Sequence, residues 1–377
     1  MRRVHRFRPP VAAVLLAAFS LLFAACGTDA APSSGVASGT FATATPTGSL
    51  GGSVSGTIRP GSPTPLPSDD RRVTVYSGRS ESLVGLVFKL FTDATGIQVN
   101  VKYGSTSAIA ATILEEGDRS PADIFFAQDP GDLGALSKIM WPLPDDIVGA
   151  VPPWARSAEA RWVGITGRAR VVVYNKDSQT EANLPESIEG FTGPEWKGKV
   201  GWAPTNASFQ SMVTAMRVLW GEERTAAWVK GMRANGAVTY ADNNSLVKAV
   251  ASGEIEVGFT NHYYVYEIAA QEGSELDAVN YFTRASDPGS VVLVAGAGIL
   301  ATSLHKPDAI ELLRFLLSAE AQSYFAREVF EYPLVDGVAR ESRLPDLDKI
   351  KRPDIDLSAL ADVKGTQTLL RDAGAIP

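Results

Sequence analysis

The sequence predicts an α/β protein with room for two domains. Short apolar runs of strand length alternate with longer stretches whose apolar residues recur at helical spacing, the pattern of strand–helix–strand units. The chain from Arg71 to Pro377 is long enough to build two such domains. One run, residues 122–127, is almost continuously apolar, as expected of a strand covered on both faces.

The first 25 residues stand outside this fold. Arg2, Arg3, Arg6 and Arg8 precede an apolar run over 11–23 and then Ala24-Ala25-Cys26, the three parts of a signal peptide. The run is too short for a comfortable transmembrane helix. Cys26 is the only cysteine, which excludes an internal disulfide, and behind Phe23-Ala24-Ala25 it resembles a lipobox. Cys26 is therefore expected to be lipidated, anchoring the chain outside the cytoplasm, at the cell surface or in the periplasm. Residues 26–70 are dominated by Gly, Ser, Thr, Ala and Pro and read as a flexible tether that buries too little apolar area to fold. Loss of residues 1–25 removes four arginines and no acids, taking the formal charge from −7 to −11. That balance excludes a basic nucleic-acid-binding protein and is compatible with a cationic cargo.

From Arg71 the elements follow in order. Residues 73–76 form a strand ending in Ser77-Gly78-Arg79-Ser80-Glu81. A helix carries Leu83, Leu86, Val87, Leu90 and Phe91 and stops at Gly96. Ile97, Val99, Val101 and Tyr103 alternate as a strand, 108–116 is a helix stopped by Gly117, and 122–127 empties into Gln128-Asp129-Pro130. Residues 161–166 and 170–174 read as two strands either side of Gly167-Arg168. A strand over 199–203 ends at Pro204-Thr205-Asn206 and is followed by helices over 209–220 and 223–234. A strand over 238–240 precedes a helix over 246–252 that Asn244 or Ser245 can cap. Residues 253–259 form a strand, half-buried by its alternation of Ile255, Val257 and Phe259, that runs into Asn261-His262-Tyr263-Tyr264. Strands near 278–283 and 291–300, helices over 308–317 and 319–330, and a polar C-terminal tail complete the chain.

In parallel α/β sheets, ligands bind beyond the carboxyl ends of strands. Glu81, Gln128 and the tyrosine pair all fall at such ends. Two adjacent phenols aimed at one point suit a hard cation, above all Fe³⁺; the plain alternative is one buried tyrosine and one exposed one. Tyrosine's reference pKa of ~10 keeps phenolate scarce at neutral pH, but a trivalent ion at the site deprotonates its ligand. Glu81 is a candidate carboxylate ligand. Asn206, Ser208, Asn244, Ser245, Asn261 and Arg168 are of the right kind to hold a small anion, and Arg79 can pair with Glu81 or assist that anion. Asn and Ser at strand ends are equally explained as helix caps. No Gly-x-Ser-x-Gly, Walker or His-Glu-x-x-His motif is present, and neither His262 nor His305 has a recognisable catalytic partner, so no enzyme is expected.

From Val73 to about Pro333 the chain resembles the periplasmic ferric-iron-binding proteins of ABC importers, the bacterial transferrins. The stretches that carry the resemblance, in collinear order, are VTVYSGRSE, EEGDRSPADIFFAQ, ITGRARVVVYN, PEWKGKVGWAPTN, NNSLVKAVASGEIEVGFTNHYY, DPGSVVLVAGAGIL and EYPL. The resemblance implies a type II, Venus-flytrap periplasmic-binding-protein fold with a two-crossing hinge, near Arg168 and near Leu293. It divides the chain into an N-lobe of 71–168 and 294–345 and a C-lobe of 169–293 and 346–377. It also implies that Tyr263 and Tyr264 are the metal ligands, that Asn206, Asn244, Asn261 and Arg168 lie where members hold a synergistic carbonate or phosphate, and that an ABC permease is the partner of a monomeric receptor. The chain departs from the pattern at three points. Ser80-Glu81 stands where members carry His or Tyr, Gln128 where some carry a Glu ligand, and Asn206 where others place a third tyrosine. A binding protein of the same architecture for an oxyanion, a polyamine or thiamine is the nearest alternative, and an exported α/β hydrolase the more distant one.

Overall fold

The computed structural model describes residues 71–377; the expected signal peptide, Cys26 and the tether lie outside the described residues. The chain lays down β1 (Arg72–Ser77), α1 (Glu81–Thr95), β2 (Gln98–Tyr103), α2 (Thr106–Glu116), β3 (Ile124–Ala127), α3 (Pro130–Leu136) and the single turn α4 (Asp145–Val148). Then come β4 (Val163–Asn175), β5 (Val200–Trp202), α5 (Ala207–Trp220), α6 (Glu222–Ala234), β6 (Val238–Thr239), α7 (Asn243–Ala251), β7 (Val257–Asn261) and α8 (Tyr263–Glu272). β8 (Ala278–Tyr281), β9 (Val292–Ile299), α9 (Lys306–Leu316), α10 (Ala319–Glu328), β10 (Tyr332–Pro333) and α11 (Val363–Asp372) follow. Among the described residues no helix is long and apolar enough to cross a membrane.

The sheet order is β2-β1-β3-β9-β4-β7-β5-β6, with β8 and β10 also paired to β4. It is mixed rather than parallel: β1 pairs in parallel with β2 and β3, whereas β9 runs antiparallel to both β3 and β4. The two strands expected on either side of Gly167-Arg168 are one thirteen-residue strand, β4, buried along its whole length. Its continuity has a physical cause. On one edge its partner changes from β9, up to Ala169, to β8, from Val172; on the other it changes from β10, at Thr166 and Gly167, to β7, from Arg170, so the strand exchanges neighbours without breaking its ladder. Arg168 sits opposite Leu293 at this exchange. β7 starts later than expected and is buried at every residue, not half-buried, because β4 and β5 flank it.

Gly96 stops α1 in the left-handed conformation (φ 75°), as its position predicts. The C-terminal tail is not merely polar surface. Residues 357–361 form a 3₁₀ turn, and α11 packs on α5 and α6, with Thr366, Leu369 and Leu370 buried. The 3₁₀ turn lies against α3, where glycine is required. A Cβ on Gly131 would stand 2.9 Å from the Leu360 carbonyl oxygen, and one on Gly134 would stand 3.0 Å from that of Ser358. Gly131→Val is expected to cost about 1–3 kcal/mol by overpacking. Urea unfolding, with proteolysis of the C-terminal segment as a second readout, measures it.

Candidate metal centre

β7 leads directly into α8 through His262, whose backbone is already helical, so Tyr263 and Tyr264 open the helix. They do not lie on the alternating faces of a strand. Successive helical residues are turned by about 100°, and here the two rings lie side by side, with centroids 4.4 Å apart and planes inclined by 33°. Tyr263 is buried; Tyr264 is partly exposed. α8 has no side-chain cap, and its N-terminus favours negative charge on the phenols in its first turn.

Buried polar side chains surround the pair. Asn261, the last residue of β7, directs Nδ2 to Ser208 Oγ at 3.1 Å and lies 3.5 Å from the Tyr263 hydroxyl, and its Oδ1 accepts from Arg170 Nη1 at 2.9 Å. Arg168 and Arg170, two apart on β4, occupy one face of the strand and are wholly buried. Arg168 donates to Asp129 Oδ1 at 2.7 Å, to the Gln128 carbonyl and to Ser208 Oγ at 3.3 Å. Arg170 makes the one bond to Asn261, and its Nε and Nη2 have no partner among the described residues. Both polar atoms of the Asn243 side chain, Gln128 Oε1 and Asp129 Oδ2 are likewise buried without partners. A folded protein rarely leaves so many such groups together, and a site for a polar ligand accounts for them.

The electrostatics reflect this crowding. Burial drives Tyr264 well above the usual phenol range, reinforced by Tyr263, while Asn243 and Arg168 pull it back. Burial pushes Arg170 down to about 10, with Arg168 adding to the fall, against the attraction of Asp129, Tyr264 and Tyr263. Arg168 moves the other way. Burial opposes its charge, but Asp129, Tyr263 and Glu331 outweigh that and raise it.

Not every residue expected at the site is found there. Glu81 opens α1 as an exposed acid near Tyr103, the ordinary place for a carboxylate at a helix N-terminus, and has no hydrogen-bond or ion-pair partner among the described residues. Arg79 pairs neither with Glu81 nor with the site. It turns into the core, where its Nη1 and Nη2 meet Glu331 at 3.2 and 2.9 Å between the rings of Phe126 and Phe325. Asn206 caps α5, its Oδ1 accepting from the N–H groups of Ser208 and Phe209. Neither Asn244 nor Ser245 is the cap of α7. Asp242 caps it in a reciprocal box with Ser245, which lengthens the helix by a turn, leaves Asn244 exposed and buries Asn243. Ser208, Asn261 and Arg168 stand among the polar groups around the pair, and Gln128 borders them through its carbonyl.

Three polar residues beside the pair are not marked by the sequence motifs: Arg170, Asn243 and Asp129. Period-2 spacing from Arg168 would flag Arg170, and the other two adjoin Asn244 and Gln128. The histidines also have partners that were not legible. His262 is enclosed, accepting from the Ala169 N–H at Nδ1 and placing Nε2 2.9 Å from the Phe330 carbonyl; burial lowers its pKa to about 4, so the ring is neutral. Both its nitrogens are engaged, and it supports Tyr263 edge-to-face. His305 Nδ1 lies 3.3 Å from Asp123, but Ser303 Oγ bonds that same carboxylate at 2.6 Å rather than the imidazole, so the three do not form a nucleophilic triad. Among the described residues no group of three or more His, Cys, Asp or Glu side chains is placed to hold a metal.

A mixed sheet around a buried polar centre fits the two-domain, type II architecture of the periplasmic iron-binding proteins. Residues 140–359 match the family model of bacterial extracellular solute-binding proteins, and the chain belongs to that family. The major ferric iron-binding protein of Neisseria meningitidis serogroup B is 34% identical over 80% of this chain and 92% of its own. Among solved structures, iron-bound HitA from Pseudomonas aeruginosa superimposes with a TM-score of 0.76 at 31% identity, covering 81% of this chain and 99% of that one. A Trichodesmium protein (IdiA, FutA) in complex with iron and citrate gives 0.71 at 27% identity, over 80% and 99%. The family relationship read from the sequence motifs is borne out.

Proposed function

We propose that this protein captures ferric iron together with a small synergistic anion, carbonate or phosphate, and delivers it to an ABC importer from a lipid-anchored position outside the cytoplasm. One observation carries the reading: the Tyr263–Tyr264 pair at the start of α8 faces buried Arg170, Asn261 and Asn243, and several polar atoms of Arg170 and Asn243 have no partner among the described residues. Phenolate oxygens are hard anionic donors for Fe³⁺. Two of them leave much of an octahedral shell open, and an anion held by Arg170 fills part of it. Arg170 is better suited than Arg168 to that role, because the guanidinium of Arg168 is already engaged by protein groups. Asn261 and Asn243 contribute donors, and the N-termini of α5, α7 and α8 favour negative charge.

In this reading the lobes are 71–168 with 294–345, and 169–293 with 346–377, meeting at the partner exchange of β4. Cargo binding the closed form better than the open one shifts the population toward closure, and the closed form docks on the permease. Lipidation at Cys26 supplies the anchor. Adding ferric salt and bicarbonate to the apoprotein is expected to develop a visible phenolate-to-iron charge-transfer band. Arg170→Gln should retain the band but lose its dependence on anion, with iron bound about 10- to 100-fold more weakly, the usual scale for groups that support a metal site. A protein that stays colourless with every anion offered is not a ferric receptor of this kind.

A further inference from the structure

Arg168 lies where β4 changes partners, β9 giving way to β8 on one edge and β10 to β7 on the other, and from there its buried guanidinium reaches both halves of the sheet. Toward one half, Nη2 donates to Asp129 Oδ1 at 2.7 Å and to the Gln128 carbonyl, both at the junction of β3 and α3. Toward the other, Nη1 donates at 3.3 Å to Ser208 Oγ, in the first turn of α5. Ser208 Oγ also accepts from Asn261 Nδ2, which stands beside the Tyr263 hydroxyl. Asp129 occupies the cap position of α3, yet its side chain does not cap that helix; it turns to the arginine instead. A single guanidinium thus ties α3, α5 and, through one serine and one asparagine, a tyrosine of the pair.

We propose that Arg168, anchored by Asp129 in its own lobe, reaches across to Ser208 and so clamps the lobes together over the cargo and sets how long it stays, with neither Asp129 nor Arg168 coordinating it. The inference rests on the ferric reading for its cargo. Its physical basis is that β3 and α3 belong to the β1–β9 half of the sheet, while α5 packs with α6 and α11 beside the β5–β7 half. When the cleft opens, the N-termini of α3 and α5 move apart, and one side chain cannot follow both. Opening therefore has to break a buried, charge-assisted contact on at least one side. Asp129 and Arg168 are positioning residues: they act on the tyrosines only through Ser208 and Asn261.

The test uses the full chain loaded with Fe³⁺ and bicarbonate, following decay of the charge-transfer band after addition of excess chelator. Asp129→Asn preserves shape and removes charge. It is expected to speed iron loss by about tenfold or more, the scale of a lost charged hydrogen bond, with the band's wavelength unchanged. Arg168→Lys should do the same, and the double variant should be no faster than the faster single one, as for two members of one contact. Restoring the carboxylate as Asp129→Glu should recover part of the retention. The clamp is overturned by a release rate within about twofold of wild type in Asp129→Asn, by additive singles, or by a shifted band, which would make Asp129 a ligand. A wild-type protein with no band refutes the ferric reading itself. The clamp is then judged by small-angle scattering, where Asp129→Asn must be more open than wild type and an unchanged profile overturns it.

Discussion

Tyr263→Phe and Tyr264→Phe are each expected to lower iron affinity by more than the roughly 10- to 100-fold typical of groups that merely support a metal site. The double variant should be colourless. Each change removes one oxygen from a protein that remains folded, since the rings keep their mutual packing at 4.4 Å and Tyr263 keeps its contact with His262. The two variants should not be equivalent. Tyr263 is buried against Asn261, whereas Tyr264 is partly exposed and its proton is held well above the usual phenol range by burial. If both phenols are iron ligands, they lose protons on binding, so affinity is expected to fall as pH falls, because protons compete for the same oxygens. Glu81→Gln serves as the control. That side chain is exposed and has no partner among the described residues, and its replacement should leave the titration unchanged. Retention of wild-type iron binding and colour by the tyrosine double variant would remove the pair from the site.

The second large effect concerns stability. Arg79→Met should destabilise the protein by about 3–5 kcal/mol, the cost of leaving a buried charge without its partner. The abandoned charge is Glu331, which has no side-chain exposure and whose Oε2 also accepts from Thr166 at 2.6 Å. Glu331→Gln is milder in shape but leaves Arg79 uncompensated between Phe126 and Phe325. Replacing both by apolar residues of similar volume should recover much of the loss, since a buried pair contributes little beyond what well-packed hydrocarbon would. Denaturant unfolding of the three variants measures this. A double-variant loss equal to the sum of the single losses would mean that the pair is not energetically coupled.

These two predictions separate what was legible from what was not. The strands and helices around the site followed from apolar periodicity and from stops such as Gly96 and Gly117, because such signals are local. The tyrosine pair was legible for the same reason: a run of Asn-His-Tyr-Tyr after a strand marks one turn of chain. Periodicity also contained Arg170, two residues beyond Arg168 on the same face of β4. Asn243 was harder to read. Which of two adjacent asparagines points inward depends on where α7 begins, and the reciprocal box between Asp242 and Ser245 decided that.

The sequence by itself determined the α/β class, the family and the phenols at one strand end. Each is written in short-range pattern or in collinear motifs. Only the tertiary structure decided the company those phenols keep. Arg79 and Glu331 are 252 residues apart in the chain and meet in the core, while Arg168 is drawn to Asp129, 39 residues earlier. The spacing of residues along an element gives the face a side chain occupies. It does not give which distant charge will be buried opposite that face, and that pairing decides which arginine is bound up in the fold and which has donors left for a ligand.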